Sequence, residues 1–314
     1  MRLVKVGLVS HKYEGSVKET RAKSARLIEL CAKQGAKIIA LQELHESFYF
    51  CQSQNVENFR FSDALNEESQ TVKYWQELSA KHEVVLITSL FERVLPGLCH
   101  NTSLVFDKGS LAGRYRKMHI PDDPNFYEKF YFAPGDLGFA PINTSEGRLG
   151  VLICWDQWFF EASRIMALKG AQLLFFPTAI GWLRGDESDG PEICAAQLQS
   201  WKIIMRAQAI ANGLPVIAIN RVGYEDAALS GETSINQSCA TPNAKSSAKG
   251  RGIEFWGHSF ISNAQGLLLY EQDEKEAAAV VDIDLEESAQ IRQWWPFLRD
   301  RRIDAYEDLL KRSC

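Results

Sequence analysis

The stretch AKQGAKIIALQE, residues 32–43, runs from the end of a predicted helix through a glycine into an apolar strand. Glycine just past a helix adopts the left-handed backbone conformation that ends the helix without strain. The same arrangement recurs in ALKGAQLLFFPT (167–178) and in AIANGLPVIAIN (209–220). The strands that follow are apolar throughout rather than alternating, which is typical of sheet interiors covered on both faces. The three copies therefore predict a layered α/β fold.

Helices alternate with strands along the rest of the chain. An apolar stripe over 24–31 predicts the first helix, and further helices are predicted at 67–82, 161–169 and 193–212. Strands are predicted at 84–92, 101–107, 111–118, 147–154, 258–264, 267–272 and 277–285. We expect one domain over residues 1–314, because no linker-like shift in composition divides the chain. The polar segment 224–250 is predicted to be a mobile loop or lid, and 286–314 a C-terminal tail in an oligomer interface.

Composition and charge argue against several classes of protein. The 314 residues are 46% hydrophobic and 24% charged, with a formal net charge of −5. The basic residues do not cluster as they would on a face that binds nucleic acid. No apolar stretch reaches the roughly 18 residues that a membrane span needs. The seven cysteines and six histidines show no zinc-like spacing. We therefore expect reduced thiols and a cytoplasmic protein.

Cys154 stands at the end of the apolar run GVLIC (150–154), just before WDQWFF. A cysteine in such a place is in general a small buried hydrophobic residue. In open α/β sheets, however, functional sites gather at the carboxyl ends of strands. A turn into a helix at this point would also present backbone N–H groups, which lower a thiol pKa and bind an oxyanion. Cys154 is therefore a candidate nucleophile.

Other predicted strands also end in polar residues. These strands and the residues that follow them are 37–42 with Glu43, 111–116 with Lys117, and 214–219 with Asn220 and Arg221. A charged group at the end of an apolar run costs desolvation energy unless it has a partner or a function. Glu43 and Lys117 could meet Cys154 at one edge of the fold, although spacing alone does not show that they do. Asn220 and Arg221 are expected to brace the rim of that site.

Four motifs together resemble the Glu–Lys–Cys hydrolases of the nitrilase superfamily, from residue 4 to about residue 300. They are LQEL (41–44), YRKMHIPDD (115–123), FYEKFYFAPGD (126–136) and GVLICWDQWFFEASR (150–164). Within the superfamily the chain is most similar to the N-carbamoylputrescine amidohydrolases, through FYFCQSQ (48–54), FPTAIGW (176–182), AINRVG (218–223) and WWPFLRDRRIDAY (294–306). The resemblance implies a four-layer αββα sandwich that forms a homodimer or a larger homo-oligomer.

The resemblance also implies a role for each site residue. Cys154 would be the nucleophile and Glu43 the general base that activates it. Lys117 and the backbone N–H of Trp155 would hold the tetrahedral oxyanion, while Glu128 would position the substrate and support the lysine. A lysine beside the thiol is expected to favour the thiolate form. The implied reaction converts N-carbamoylputrescine to putrescine, ammonia and carbon dioxide, a step of polyamine biosynthesis. The resemblance thus implies a small-molecule ureide or amide as the partner, and no metal or organic cofactor.

The identity of the substrate depends on the groups around the cavity. The acidic run GWLRGDESDG contains Asp186, Glu187 and Asp189, which bind a substrate amine in one interpretation and form a solvated loop in the other. Tyr49 and Trp182 are candidate cavity walls, although both suit core or interface packing equally well.

Two alternatives to this function stay open from the sequence. One is an amidase or ureidopropionase-like hydrolase of an anionic substrate, in which Arg184 or Arg206 would bind the carboxylate. The other is a catalytically silent scaffold protein. The sequence argues against it, because a scaffold would have no reason to keep Glu43, Lys117 and Cys154 at the ends of apolar strands.

Overall fold

The computed structural model describes residues 2–185, 190–231 and 251–313. Its strands are β1 (Leu3–Ser10), β2 (Ile38–Leu41), β3 (Val85–Ile87), β4 (Leu90–Leu95), β5 (Leu98–Asp107), β6 (Ser110–Arg116), β7 (Ile142–Thr144), β8 (Gly147–Val151), β9 (Leu173–Thr178), β10 (Gly181–Arg184), β11 (Val216–Asn220), β12 (Val222–Asp226), β13 (Gly252–Trp256), β14 (Phe260–Ser262), β15 (Leu268–Glu271) and β16 (Ala277–Asp284). Its helices are α1 (Val17–Lys33), α2 (Gln70–His82), α3 (Glu128–Tyr131), α4 (Phe160–Leu168), α5 (Pro191–Asn212) and α6 (Leu285–Trp294).

Two large sheets pack face to face, with helices on their outer faces. The first sheet has the order β16-β1-β2-β3-β5-β4 with β6 beside β5, and the second has the order β15-β14-β11-β9-β8-β7. Contacts of β1 with β11 and of β2 with β9 join the two sheets. Helices α1 and α2 cover the first sheet, while α4 and α5 cover the second. The predicted four-layer αββα sandwich is confirmed.

The three helix–glycine–strand copies have the predicted backbone. Gly35, Gly170 and Gly213 have φ values of +87°, +88° and +58°, so each adopts the left-handed conformation that follows a helix. The strands behind them, β2, β9 and β11, are buried at every position. Strand β2 is parallel to both its neighbours, β1 and β3, and β9 is parallel to β8 and β11, whereas the other neighbour of β11, β14, is antiparallel to it. Burial on both faces explains why these strands are continuously apolar.

Some element boundaries differ from the sequence prediction. The strand predicted at 84–92 is two strands, β3 and β4, which both pair with β5. The strand predicted at 147–154 ends at Val151, because the Ile153 N–H binds the Asp156 carboxylate instead of a neighbouring strand. Part of the predicted loop 224–250 is also regular, since it contains the end of β12 and a 3-10 turn at Ala227–Ser230. The rest of that loop, from 232 to 250, lies outside the described residues.

A third, small sheet was not predicted from the sequence. It has the order β10-β13-β12 and is antiparallel throughout. Its strands have four or five residues and mix polar with apolar positions, so neither periodicity nor length distinguishes them from loops. No helix in the described part of the chain is long and apolar enough to cross a membrane.

Candidate active site

The ends of three strands bring Glu43, Lys117 and Cys154 together. Glu43 lies two residues after β2, Lys117 directly follows β6, and Cys154 lies three residues after β8. Two of these strands belong to the first sheet and one to the second, so the site lies where the two sheets meet. All three side chains are buried, with exposed fractions of 0%, 0% and 4%.

Lys117 is held between two carboxylates. Its Nζ donates to Oε1 of Glu43 at 2.8 Å and to Oε2 of Glu128 at 2.6 Å. Asn101 Nδ2 donates to the same Oε1 of Glu43 at 2.7 Å, and the Tyr49 hydroxyl donates to Oε1 of Glu128 at 2.6 Å. Each carboxylate is therefore fixed by the lysine and by one neutral donor, which makes the group rigid.

Two of these donors have a role that the sequence did not assign. Asn101 lies in the interior of β5, where no motif or strand end marks it. Tyr49, a candidate for either a cavity wall or core packing, has a fully buried side chain, and its hydroxyl binds Glu128. Its burial, followed by the charge of Glu128, raises its pKa well above the ordinary value, so it stays a hydrogen-bond donor.

The surroundings set the protonation state of the group. Burial lowers the pKa of Lys117, but the charges of Glu128 and Glu43 outweigh it and hold this pKa well above its ordinary value. Burial raises the pKa of Glu43 to about 7, against the opposing charge of Lys117. Lys117 is therefore positively charged, whereas Glu43 can gain or lose its proton near neutral pH.

The thiol of Cys154 keeps its proton in the resting site. Burial, together with the charge of Glu43, raises its pKa well above the ordinary value. Lys117 does lower this pKa and so favours the thiolate, as expected, but desolvation and the two carboxylates outweigh it. Lys117 and Asn101 both bind Oε1 of Glu43, which leaves Oε2 for the thiol proton. A hydrogen bond between the thiol and Glu43 also lowers the pKa of that carboxyl group.

Cys154 has a strained backbone that Asp156 holds in place. The cysteine has φ +41° and begins a 3-10 turn, Cys154–Trp158. The buried carboxylate of Asp156 accepts hydrogen bonds from the Ile153 N–H at 2.9 Å and from the Tyr115 hydroxyl at 2.7 Å. It also accepts one from the backbone N–H of His119 at 3.0 Å. A left-handed non-glycine residue costs about 1–3 kcal/mol and persists only where its surroundings hold it.

A cavity of about 510 Å³ opens beside Cys154 and Glu128. Its other lining residues are mostly apolar: Pro121, Asp123, Pro124, Phe126, Trp155, Trp158, Ala179, Ile180, Gly181, Leu183, Ile193, Ala196, Gln197, Ser200 and Trp256. Strands β10 and β13 of the small sheet contribute Gly181, Leu183 and Trp256. Among the described lining residues, only Asp123 and Glu128 are charged, and both are acidic.

Three further candidates that the structure describes, Trp182, Arg184 and Arg206, are not part of this lining. Trp182 donates from Nε1 to the carbonyl oxygen of Cys194 at 3.0 Å. The guanidinium of Arg184 lies 5.3 Å from the Trp182 ring and also pairs with Glu254. Arg206 donates to the carbonyl oxygen of Gly266. The acidic candidates at 186, 187 and 189 (Asp, Glu and Asp) lie outside the described residues.

Comparison with known proteins gives the family. The model of the carbon-nitrogen hydrolase family matches residues 5–293. The chain belongs to the carbon-nitrogen hydrolase family. It is therefore an enzyme that cleaves C–N bonds of amides, and the resemblance to the nitrilase superfamily is confirmed.

Relatives of this carbon-nitrogen hydrolase match it over nearly the whole chain. An N-carbamoylputrescine amidase of Solanum tuberosum is 38% identical, over 98% of this chain and 95% of that protein. A citrullinase of Francisella tularensis is 36% identical, over 99% of this chain and 100% of that protein. A crystal structure of a carbon-nitrogen hydrolase from Helicobacter pylori G27 is 47% identical, with a TM-score of 0.89 over 99% of this chain and 100% of that one.

Proposed function

We propose that this carbon-nitrogen hydrolase converts N-carbamoylputrescine and water to putrescine, ammonia and carbon dioxide, a step of polyamine biosynthesis. The observation that supports the chemistry is the charged Lys117 buried between Glu43 and Glu128, beside the thiol of Cys154. One group of this kind contains a nucleophile, a base with a pKa near neutral and a fixed positive charge. These are the parts that acyl transfer to a thiol requires.

The proposed reaction has two halves. Glu43 accepts the thiol proton as the sulfur of Cys154 attacks the ureido carbon, and the oxyanion that forms is bound by Lys117 and the N–H of Trp155. Glu43 then gives the proton to the leaving amine as the C–N bond breaks, which leaves a thioester-type intermediate on the sulfur. With putrescine as the leaving amine, the intermediate is a carbamoyl group on the sulfur. A water molecule that Glu43 deprotonates hydrolyses it, which restores the thiol and releases carbamic acid, and carbamic acid breaks down to ammonia and carbon dioxide. Glu128 holds Lys117 in position and faces the cavity, where it can contact the substrate.

The shape and charge of the cavity support a ureide with a cationic tail. Apolar lining from Trp155, Trp158 and Trp256 suits a chain of methylene groups, and indole faces also attract cations. Asp123 is exposed and lines the cavity, so it offers a carboxylate for the terminal ammonium group. An anionic substrate is disfavoured, because no arginine or lysine is among the described lining residues.

L-Citrulline is the second candidate substrate, and the similarity to the Francisella citrullinase favours it. Citrulline has the same ureido group at the same distance along the chain from its ammonium group, but it adds a carboxylate on the carbon that bears this ammonium. The chemistry at Cys154 would be the same for both substrates, so only the recognition of the tail distinguishes them.

Ammonia release by the purified enzyme tests the proposal. N-carbamoylputrescine, L-citrulline, N-carbamoyl-β-alanine and a simple ω-amide would be compared by kcat/KM. Preference for N-carbamoylputrescine supports the proposal, whereas preference for citrulline keeps the chemistry and replaces the substrate. The variants Cys154→Ala and Glu43→Gln should lose turnover with an unchanged circular dichroism spectrum. Full activity of Cys154→Ala would contradict the mechanism itself.

We also propose that the enzyme is cytoplasmic and works as a homodimer or larger homo-oligomer. The seven cysteines suit a reducing compartment. The predicted tail begins with α6, and its exposed apolar side chains support the assembly: Trp294, Trp295, Ile303, Leu309 and Leu310 are 73%, 62%, 75%, 64% and 93% exposed. Light scattering of the full chain would give its mass, and a monomer at micromolar concentration would contradict the assembly.

A further inference from the structure

A buried ion pair that the proposed mechanism does not use lies behind the site. Arg221 directly follows β11, and its Nη1 donates to Oε1 of Glu225 at 2.5 Å. The two side chains are 1% and 5% exposed, and the guanidinium also lies 5.4 Å from the Phe255 ring. Burying an ion pair costs desolvation energy, and a hydrophobic pair of similar volume is often at least as stable. Stability alone is therefore a weak reason for this pair.

The arginine holds the backbone immediately after Glu43. Its Nη2 donates to the carbonyl oxygens of Leu44 and Ser47, each at 2.8 Å. Leu44 has φ +47°, a left-handed conformation that a leucine rarely adopts. The N–H of Leu44 is held as well, by Ser89 Oγ at 3.2 Å. The residue next to the proposed base is thus strained and fixed from both sides.

The glutamate of the pair reaches the second carboxylate of the site. Oε2 of Glu225 accepts a hydrogen bond from the backbone N–H of Tyr49 at 2.6 Å. The hydroxyl of the same tyrosine donates to Glu128, which in turn binds Lys117. Glu43 and Glu128 are therefore both tied, through the segment 44–49, to one ion pair.

We infer that Arg221 and Glu225 are positioning residues, which hold segment 44–49 so that both carboxylates stay aligned with Lys117 and Cys154. This inference rests on the proposed function, in which Glu43 is the general base. A purely structural role would instead predict that variants of the pair lose stability but keep full turnover per folded molecule.

The variant Arg221→Lys is the sharpest test. Lysine keeps the buried positive charge for Glu225, but its single ammonium cannot also bind both carbonyl oxygens as the guanidinium fork does. We expect kcat to fall about 100-fold, as small misplacements of catalytic groups do, with little change in KM. The rate at which iodoacetamide alkylates Cys154 should fall too, because that reaction reports the base without depending on the substrate.

A pH profile separates positioning from general damage. If Glu43 moves away from Lys117, its pKa loses a lowering influence. The acidic limb of kcat/KM should then move to higher pH in Arg221→Lys. A loss of folded protein would lower the whole profile without moving the limb.

The chain offers a matched control at Arg114. Its Nη1 pairs with the buried Glu92 at 2.7 Å, and its Nη2 donates to the carbonyl oxygen of Leu65 at 3.0 Å. Leu65 also has a left-handed backbone, with φ +46°, but it is not adjacent in sequence to any residue of the proposed site. Arg114→Lys should therefore keep the kcat and the pH profile of the wild-type enzyme.

Each outcome decides the inference. Folded Arg221→Lys with wild-type kcat overturns it, as does an equal loss of kcat in Arg114→Lys. If Arg221→Lys does not fold, Glu225→Gln is tested in its place, because glutamine keeps an acceptor for the Tyr49 N–H. Wild-type kcat in Glu225→Gln would also overturn the inference. Activity in Cys154→Ala would be a failure of the proposed function, whereas wild-type activity in Arg221→Lys beside an inactive Cys154→Ala is a failure of this inference alone.

Discussion

Three charged groups and a thiol share one buried volume, and their spacing decides where the proton resides. Lys117 neutralises only one negative charge, so ionising both carboxylates and the thiol at once is too costly in a buried site. The pKa values of Glu43 and Cys154 are both raised because burial disfavours their charged forms and the single charge of Lys117 cannot balance all of them. The proton therefore resides on sulfur until a substrate carbonyl offers the negative charge a place beside Lys117.

The activity should depend on pH through Glu43. As the base it must be ionised, and burial raises its pKa from 4.5 to about 7. We therefore expect kcat/KM to be low in mild acid and to rise through about pH 7 to a plateau. Initial rates across this range, with stability checked at each pH, would measure the limb. A limb near the ordinary value of 4.5 would contradict the assignment of Glu43 as base.

Asp123 should govern affinity for the cationic tail. Replacing it with asparagine removes the charge but keeps the size, so KM for N-carbamoylputrescine should rise about tenfold, or about 1.4 kcal/mol, at constant kcat. A neutral ureide such as butylurea should show no change. The matched control is Asp122→Asn, because Asp122 is also exposed but does not line the cavity. Equal effects of the two variants would argue against a role for Asp123.

At the scale of elements, the sequence predicted the repeated helix–glycine–strand units and missed the short strands of the small sheet. The three glycine-ended helices and the buried strands behind them repeat one pattern, so the layers and the strands β2, β9 and β11 could be placed from the sequence. The small sheet has no such signal, because its strands are short and mixed in polarity. Asn101 was missed for a related reason: a polar residue inside a strand is recognised only once the strand register is known.

Gly135 shows how one element depends on close approach. Its N–H donates to the carbonyl oxygen of Lys117 at 2.8 Å, and an added Cβ would lie 2.1 Å from the carbonyl oxygen of Arg116. Gly135→Ala should therefore push the end of β6 aside and lower kcat about 100-fold through the displaced lysine. Overpacking should also cost about 1–3 kcal/mol of stability.

The control for this variant is Gly190→Ala. Gly190 has φ −68°, and an added Cβ would meet nothing within 4 Å. Activity and the urea midpoint would be measured for both variants. Wild-type kcat in Gly135→Ala would mean that the end of β6 can shift without moving Lys117.

At the scale of the whole molecule, the proposed active site depends on the packing of the two large sheets. Glu43 and Lys117 follow strands of the first sheet, whereas Cys154 follows a strand of the second. Neither sheet carries both the proposed nucleophile and the proposed base, so the proposed site exists only where the two sheets pack.

The stability of the whole fold should fall in mild acid, and His11 should account for part of the fall. This histidine follows β1 and is fully buried, with its ring nitrogens at 2.8 Å from the carbonyl oxygen of Lys12 and 2.7 Å from Ser24 Oγ. Burial lowers its pKa from 6.5 to about 4. The neutral ring thus stabilises the fold fully above pH 6.5, and this contribution is lost as the pH falls towards 4.

Between these limits the unfolded chain binds a proton that the folded chain does not, which amounts to about 3 kcal/mol for this one residue. His11→Asn should therefore flatten the dependence of the free energy of unfolding on pH, whatever its effect at neutral pH. Ser24→Ala is the matched control, since it removes the hydrogen-bond partner but leaves the titrating ring, so its curve should keep the wild-type slope. Urea denaturation across this pH range gives the slopes, and identical slopes for His11→Asn and wild type would show that other groups cause the acid sensitivity.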